Sequence, residues 1–363
     1  MSDELLALAK RLIGYDTSEP EAVSEAAGFV KGWLEARGIE AARDEVRGLP
    51  VMRAEVGPEE APTVVLHGHL DVVPGRPGQF DPRVQGDRLY GRGAYDMKGA
   101  LAAMLLTTAA MRDQDRVRVR LGIVGDEESE EEAERGSDHL VDSGFLGDFA
   151  ITGEPTDLHI GVEAKGVLAL RLEVSGTAAH GATPWLGDNA VLSALDVFRS
   201  IESLPFARHS SELFDRPSIN LGRIWGGDAL NKVPDRCVID VDIRYLPDQD
   251  PAVVLDEVRG IAGAEAAALF TRPPAIVDRD STFVRALREA AAAHHDGEQQ
   301  ISVGRDGASD AVSFLRVGVP AVEFGPVGEG HHGPEEWVSI SSLETYMQTL
   351  DTFLRAVGDR LDG

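Results

Sequence analysis

The sequence predicts an α/β fold: a mainly parallel-sheet domain interrupted by a smaller βαββαβ domain of ferredoxin-like pattern. Three observations predict it. Short apolar runs alternate with amphipathic helices in the outer thirds of the chain, the signature of a parallel sheet. The middle third changes to a strand–helix–strand–strand–helix–strand order. Four of the outer strands release carboxylate or imidazole at their C-terminal ends, and in an open α/β sheet those ends line the ligand crevice.

With 363 residues the chain is too long for one ordinary core and fits two domains. Helical periodicity is clear at 3–14, 24–37, 98–111, 282–294 and 341–357, and strand-like runs lie at 51–56, 63–67, 118–125, 149–152 and 319–324. Between them, 167–175, 218–225, 236–246 and 267–271 read as strands, and 189–203 and 251–261 as helices. We therefore expect a discontinuous main domain, 1–166 plus 275–363, and an inserted domain, 167–274. The hinges fall near Lys165–Gly166 and Pro273–Pro274.

The composition, 43% hydrophobic and 27% charged, is that of a globular protein, and no run approaches the ~20 apolar residues of a membrane span. The net charge of −27 argues against nucleic acid and anionic membrane as partners. The bias of 30 Arg to 5 Lys fits a GC-rich genome and, with the acidity, a salt-adapted host equally well. The N-terminus MSDELLALAKRL lacks the basic-then-apolar order of a signal peptide, so a cytoplasmic location is expected. A single cysteine, Cys237, excludes an internal disulfide and a cysteine-rich zinc site. Any metal must be held by imidazole and carboxylate.

The stretch TVVLHGHLDVVP, 63–74, shows why a metal is expected. A buried strand of aliphatic residues ends in His67, His69 and Asp71, and such a cluster is costly to bury unless something pairs with it. Glu127 and Glu128 follow VRLGIVG, Glu154 follows FAITG, and His331 and His332 follow AVEFG. Asp96 stands in GRGAYDMKGALAAML at the start of a helix. Two imidazoles and three carboxylates (His69, Asp96, Glu128, Glu154 and a late His) suit zinc or a similar ion. With one bridging carboxylate they serve two metals ~3.5–4 Å apart. Asp71, two residues beyond His69, can accept the other ring N–H and so fix the tautomer.

Each piece has a plainer reading when taken singly. Asp96 reads as a helix cap, the pair Glu127–Glu128 as the start of the solvated acidic run 126–134, and Glu154 before Pro155 as a turn. His67 and His331 read as neighbours of ligands. His180 reads as a loop histidine, and Arg244, on one strand face with Asp240 and Asp242, as part of a charge ladder. It is the recurrence of such residues at corresponding strand ends that makes a site.

The ordered motifs HGHLDVVP, GRGAYDMKG, DEE, GEPT, SGTAAHGATPWLGDNA, GGDALNKVPDRCVIDVDIR and GHHGPEEWV cover nearly the whole chain. They resemble the dinuclear-zinc family of aminoacylase-1, carboxypeptidase G, acetylornithine deacetylase and succinyl-diaminopimelate desuccinylase. The resemblance implies His69, Asp96, Glu128, Glu154 and His332 as ligands of two divalent ions, zinc first, with cobalt or manganese as alternatives. His332 is chosen over His331 because Glu336 lies four residues after it. Asp96 is implied to bridge, with His69 and Glu154 on one ion and Glu128 and His332 on the other. Glu127 is implied as general base, taking a proton from water and handing it to the leaving amine. His180 is implied as an oxyanion donor, and Arg244 with Asn231 as the grip on a substrate carboxylate. The inserted domain is implied to close as a lid and to pair two chains as a homodimer. The expected substrate is a small N-acyl amino acid of the acetylornithine or succinyl-diaminopimelate type. A dipeptide or a glutamate-type peptide is the alternative, and a non-catalytic binding protein is the alternative of another class. The one departure from the family is SEEEAER before Gly136.

Overall fold

The computed structural model describes residues 2–129, 134–261, 263–294 and 302–360. The acidic run singled out above is therefore described only in part, its residues 130–133 lying outside the described residues. By its contacts the chain divides into two compact units, one of Met1–Val162, Val277–Val303 and Asp310–Gly363, the other of Glu163–Ile276 with Gly304–Ser309. The short segment 304–309, which the sequence had grouped with the outer thirds, belongs with the inserted unit.

In the first unit the sheet runs in the order Ala41–Val46, Leu49–Val56, Arg118–Val124, Thr63–His69, Phe149–Thr152, Ala321–Glu323 and Ile160–Ala164. The four strands from Arg118–Val124 to Ala321–Glu323 are mutually parallel. The inner strands are buried along their length, as parallel strands covered on both faces are: every residue of Phe149–Thr152 is buried, and Val64, Val65 and Leu66 are fully buried. The first two strands form an antiparallel hairpin on the two-residue turn Arg47–Gly48, both with positive φ. Ala41–Val46 has no apolar run to mark it in the sequence; it is a polar strand buried only at its two ends.

The helix Gly99–Ala110 is apolar nearly all round and lies buried beneath the site. It packs on the long C-terminal helix Ile340–Arg360. That helix starts from a tether supplied by a distant hairpin: Asp87 accepts hydrogen bonds from Ser341 N (2.9 Å) and from the hydroxyls of Ser339 and Ser341.

The second unit is a four-stranded antiparallel sheet in the order Ser218–Gly226, Arg236–Tyr245, Gly166–Ser175, Ala264–Arg272. With the helices Ala190–Ile201 and Pro251–Arg259 this is the ferredoxin-like order that the middle third predicted. Alternation builds its core: Leu168, Leu170 and Leu172 meet Ile239, Val241 and Ile243, and Val254 and Val258 pack onto them.

Close approach at one glycine sets the position of a site loop. A Cβ on Gly325 would stand 2.2 Å from the Glu154 carbonyl oxygen and 2.8 Å from that of Gly153, both backbone atoms with no room to yield. Gly325→Ala is expected to push the Glu154 turn away and to cost ~1–3 kcal/mol, the usual toll of overpacking. Urea denaturation checks this, and a change below ~0.5 kcal/mol, the level of an unremarkable surface substitution, would mean the contact is loose.

Candidate metal centre

His69 ends the strand Thr63–His69 with its ring fully buried. Its Nδ1–H donates to the backbone carbonyl of Asp71 (2.9 Å), which leaves the Nε2 lone pair facing Asp96 Oδ1 at 3.2 Å and Glu154 Oε1 at 3.7 Å. In the neutral ring that lone pair and the two carboxylates repel one another, so a proton or a metal cation must stand between them. Among the described residues Glu154 Oε1 is buried with no hydrogen-bond partner, which is costly for a carboxylate oxygen.

The role expected for the Asp71 carboxylate is corrected here. Its nearer oxygen is 3.6 Å from His69 Nδ1, and the carbonyl of the same residue holds the ring. The carboxylate instead accepts the backbone N–H groups of Glu127 (3.2 Å) and Glu128 (2.8 Å). Asp71 thus fixes the turn that carries both glutamates.

Asp96 does not cap the helix that follows; the helix starts at Gly99, with no side-chain cap. Its place is set by Glu336. One Glu336 oxygen accepts Tyr95 N (3.0 Å) and Asp96 N (3.1 Å), and the other accepts Gly93 N (2.9 Å) and the Arg92 guanidinium (2.8 Å). Sequence reasoning used Glu336 only to choose between histidines. The signal for its role was weak: a glutamate at a fixed distance after a ligand.

So held, Asp96 lies between two imidazoles, Oδ1 toward His69 and Oδ2 3.5 Å from His332 Nε2. His332 Nε2 also lies 2.9 Å from Glu128 Oε1. The donor atoms form two groups of three, His69–Asp96–Glu154 and Asp96–Glu128–His332; within each they lie within 4.8 Å of one another, and the groups share Asp96. Glu127 is in neither group. His67 turns away to Ser137 Oγ (3.1 Å), and the His331 ring packs against Tyr95.

The electrostatics describe a cluster short of positive charge. Burial pulls the His69 imidazole down, but Asp71, Asp96 and Glu154 outweigh it and hold its pKa well above the ordinary value. Asp96 and Glu128 push His332 up to about 10. Burial favours the neutral form of Asp96, yet the two histidines hold its pKa far below the usual range. Burial, then Asp96, raises Glu154 well above the usual range, and burial, then Asp310, raises Glu127 to about 8. Protons on the imidazoles stand where the donor set offers places to divalent cations. Imidazole plus carboxylate, with an orphaned buried oxygen, fits zinc or a similar ion.

In the second unit, His180 and Asn231 are neighbours: Gly181 N donates to the Asn231 carbonyl at 2.7 Å. His180 is exposed, and its Nδ1 accepts Ala182 N (3.1 Å), so the neutral ring carries its proton on Nε2. Arg244 Nε donates to Asp242 Oδ2 (3.0 Å), and Arg171 grips Asp240 with two bonds of 2.7 and 2.8 Å. The charge ladder expected on this face is present.

Candidate metal donors gathered at the C-terminal ends of parallel strands, as His69, Glu128 and Glu154 are, fit a metal-dependent enzyme of the open α/β class. Residues 65–356 match the model of peptidase family M20/M25/M40, and the chain belongs to that family. It is a metal-dependent hydrolase. Over 371 residues the chain is 29% identical to a succinyl-diaminopimelate desuccinylase of Erythrobacter litoralis, covering 94% of this chain and 96% of that protein. A protein of the same name from Gluconobacter oxydans is 30% identical over 388 residues, covering 97% of each. Among solved structures, a tripeptidase from Staphylococcus aureus superposes with a TM-score of 0.82 at 21% identity, covering 99% of both chains. An M20 metallo-carboxypeptidase from Sulfolobus solfataricus gives 0.82 at 23%, covering 98% of this chain and 100% of that one. At these identities the structures speak for the fold alone. Among the described residues no helix is long and apolar enough to cross a membrane.

Ligation needs neutral imidazoles, so a metal taken up by His69 and His332 would displace their protons. Binding of zinc to the metal-free protein at pH 7 is expected to release protons. Affinity should strengthen as pH rises, until His332 loses its own proton at about 10. Titration calorimetry in two buffers of different ionisation enthalpy measures the release. Zero net protons would mean that the imidazoles are not the ligands.

Proposed function

We propose that this chain hydrolyses the amide bond of an N-acyl amino acid, with the N-succinyl class first, using two divalent ions. Zinc is the first choice for those ions, with cobalt or manganese as alternatives. The names of the relatives that match nearly full length support the acyl group. The observation that carries the reaction is the placement of Glu127: it is held beside the two donor groups yet belongs to neither.

Bound ions in such a site polarise a carbonyl and acidify water. The rest is the work of side chains. His69 and Glu154 would hold one ion and Glu128 and His332 the other, with Asp96 available to both. Glu127 accepts the proton of the attacking water on its carboxylate and returns it to the leaving nitrogen, as a general base and then a general acid. Asp71 keeps that carboxylate in register through the backbone of its turn. His180 offers its Nε2–H to the developing oxyanion. Arg244, with Asn231, takes the substrate carboxylate; a guanidinium suits that planar partner.

We assign residues 163–276 the role of a lid and of a dimerisation domain. Among the described residues the strand Ser218–Gly226 is an edge with a partner on one side only, and Trp225, Trp185, Leu186, Leu192 and Leu230 of this unit are exposed. Such apolar surface supports pairing with a second copy. A cytoplasmic location and small-molecule substrates complete the reading.

Zinc-loaded protein should be assayed against N-succinyl and N-acetyl amino acids and against dipeptides. Hydrolysis of N-succinyl-diaminopimelate is the expected result; turnover of dipeptides alone would transfer the assignment to a dipeptidase. With the substrate in hand, Glu127→Gln should retain its metal and lower kcat by ~10²–10⁴-fold, the range for general acid–base catalysis. If Glu127→Gln loses its metal while Glu128→Gln keeps it, the base and the ligand have been exchanged.

A further inference from the structure

Glu127 lies in a turn after the strand Arg118–Val124, outside any helix or sheet ladder, so its backbone groups need other partners. Its N–H goes to Asp71 Oδ1 (3.2 Å) and its carbonyl accepts Arg135 Nη2 (2.8 Å). Charged side chains grip the residue on both sides. The same guanidinium nitrogen is 3.8 Å from Glu127 Oε1 and 3.4 Å from Asp310 Oδ1. Arg135 is 2% exposed and Asp310 1%.

We infer that Arg135 and Asp310 are positioning residues for Glu127, a buried brace that sets where the base carboxylate stands. The inference rests on the assignment of Glu127 as the base. The network is directional. Ser137 Oγ donates to Asp310 Oδ2, so the Ser137 oxygen accepts from His67 Nε2–H at 3.1 Å. Asp310 thereby has acceptor work on both oxygens, and Arg135 has a fixed anion to lean on. Four separate segments meet here: the strand Thr63–His69, the turn of Glu127, the helix Gly136–Asp142 and the start of the helix Ala311–Leu315.

Stability alone is a poor reason for this arrangement. A buried ion pair gains little over apolar packing of similar volume, because desolvation offsets the attraction. What an apolar pair lacks is a donor directed at the Glu127 carbonyl. The brace also explains His67, whose polar ring the metal groups leave unused. A misplacement of about 1 Å in a catalytic group costs about 100-fold in rate.

The test uses the full-length zinc-loaded protein and the variants Arg135→Ala, Arg135→Lys and Asp310→Asn. Two readouts are taken, kinetics on the best substrate of the panel and amide hydrogen exchange followed by mass spectrometry. Arg135→Ala should keep its zinc content and KM and lose about 10–100-fold in kcat, as residues that orient functional groups usually do. Millimolar guanidinium should restore much of that loss by filling the vacated cavity. The near-isosteric Asp310→Asn and Arg135→Lys should move the same way by less, which keeps the test open if Arg135→Ala does not fold. Exchange in the peptide 125–129 should quicken by about tenfold or more while 63–71 is unchanged, local loosening and not general unfolding. If wild-type protein cleaves nothing in the panel, the function falls and the exchange comparison alone decides the brace. Unchanged kcat and unchanged exchange at 125–129 would overturn it. So would a uniform loss of protection across the first unit with no guanidinium rescue, which marks a purely structural pair.

Discussion

The first unit is organised around a crowding of negative charge. Asp96 stands between His69 and His332 with Glu154 and Glu128 on either side, and Glu154 presents a buried oxygen with no partner among the described residues. Such a cluster is unstable by itself, and protons on the two imidazoles compensate it only in part. Every neighbouring choice follows from this. The His69 ring is held by a carbonyl at Nδ1 so that Nε2 points inward. The Asp96 loop is tied down by one Glu336 carboxylate with four bonds, and the glutamate pair hangs from Asp71. A preorganised set of donors costs the fold stability, and bound cations return it through binding energy linked to folding.

The parallel sheet is the reason these residues meet. Its four central strands point the same way, so the turns after Val124, His69 and Thr152 open on one edge. The buried helix Gly99–Ala110 carries the Asp96 loop at its start, and the C-terminal helix packs beside it. Gly325 lets the last of the parallel strands approach the Glu154 turn closely.

Much of this was legible in the residues themselves. Where an apolar run stops at a histidine or a glutamate, periodicity marks both the strand and the polar end, and the ordered motifs pointed to the family. The ferredoxin-like order was visible because its strands alternate cleanly, as in Arg236–Tyr245. Features that depend on side chains meeting from distant segments were not visible. Asp71 and His69 are two residues apart, and sequence cannot say whether carbonyl or carboxylate takes the ring N–H. Arg135 and Asp310 are 175 positions apart, and nothing local marks either as a partner. The strand Ala41–Val46 escaped notice because an edge strand with a solvated middle has no apolar run. The grouping of 304–309 with the inserted unit arises from contacts such as Lys165 Nζ to Asp306 (2.7 Å), again invisible to pattern.

The central claim is that the shared carboxylate of Asp96 joins two cation sites. Anomalous diffraction from crystals of the zinc-loaded protein, recorded above and below the zinc absorption edge, tests it most directly. The account predicts two anomalous peaks flanking the Asp96 carboxylate, one beside His69 and Glu154 and the other beside Glu128 and His332. A single peak remote from Asp96, or no peak among these five side chains at saturating zinc, would contradict it.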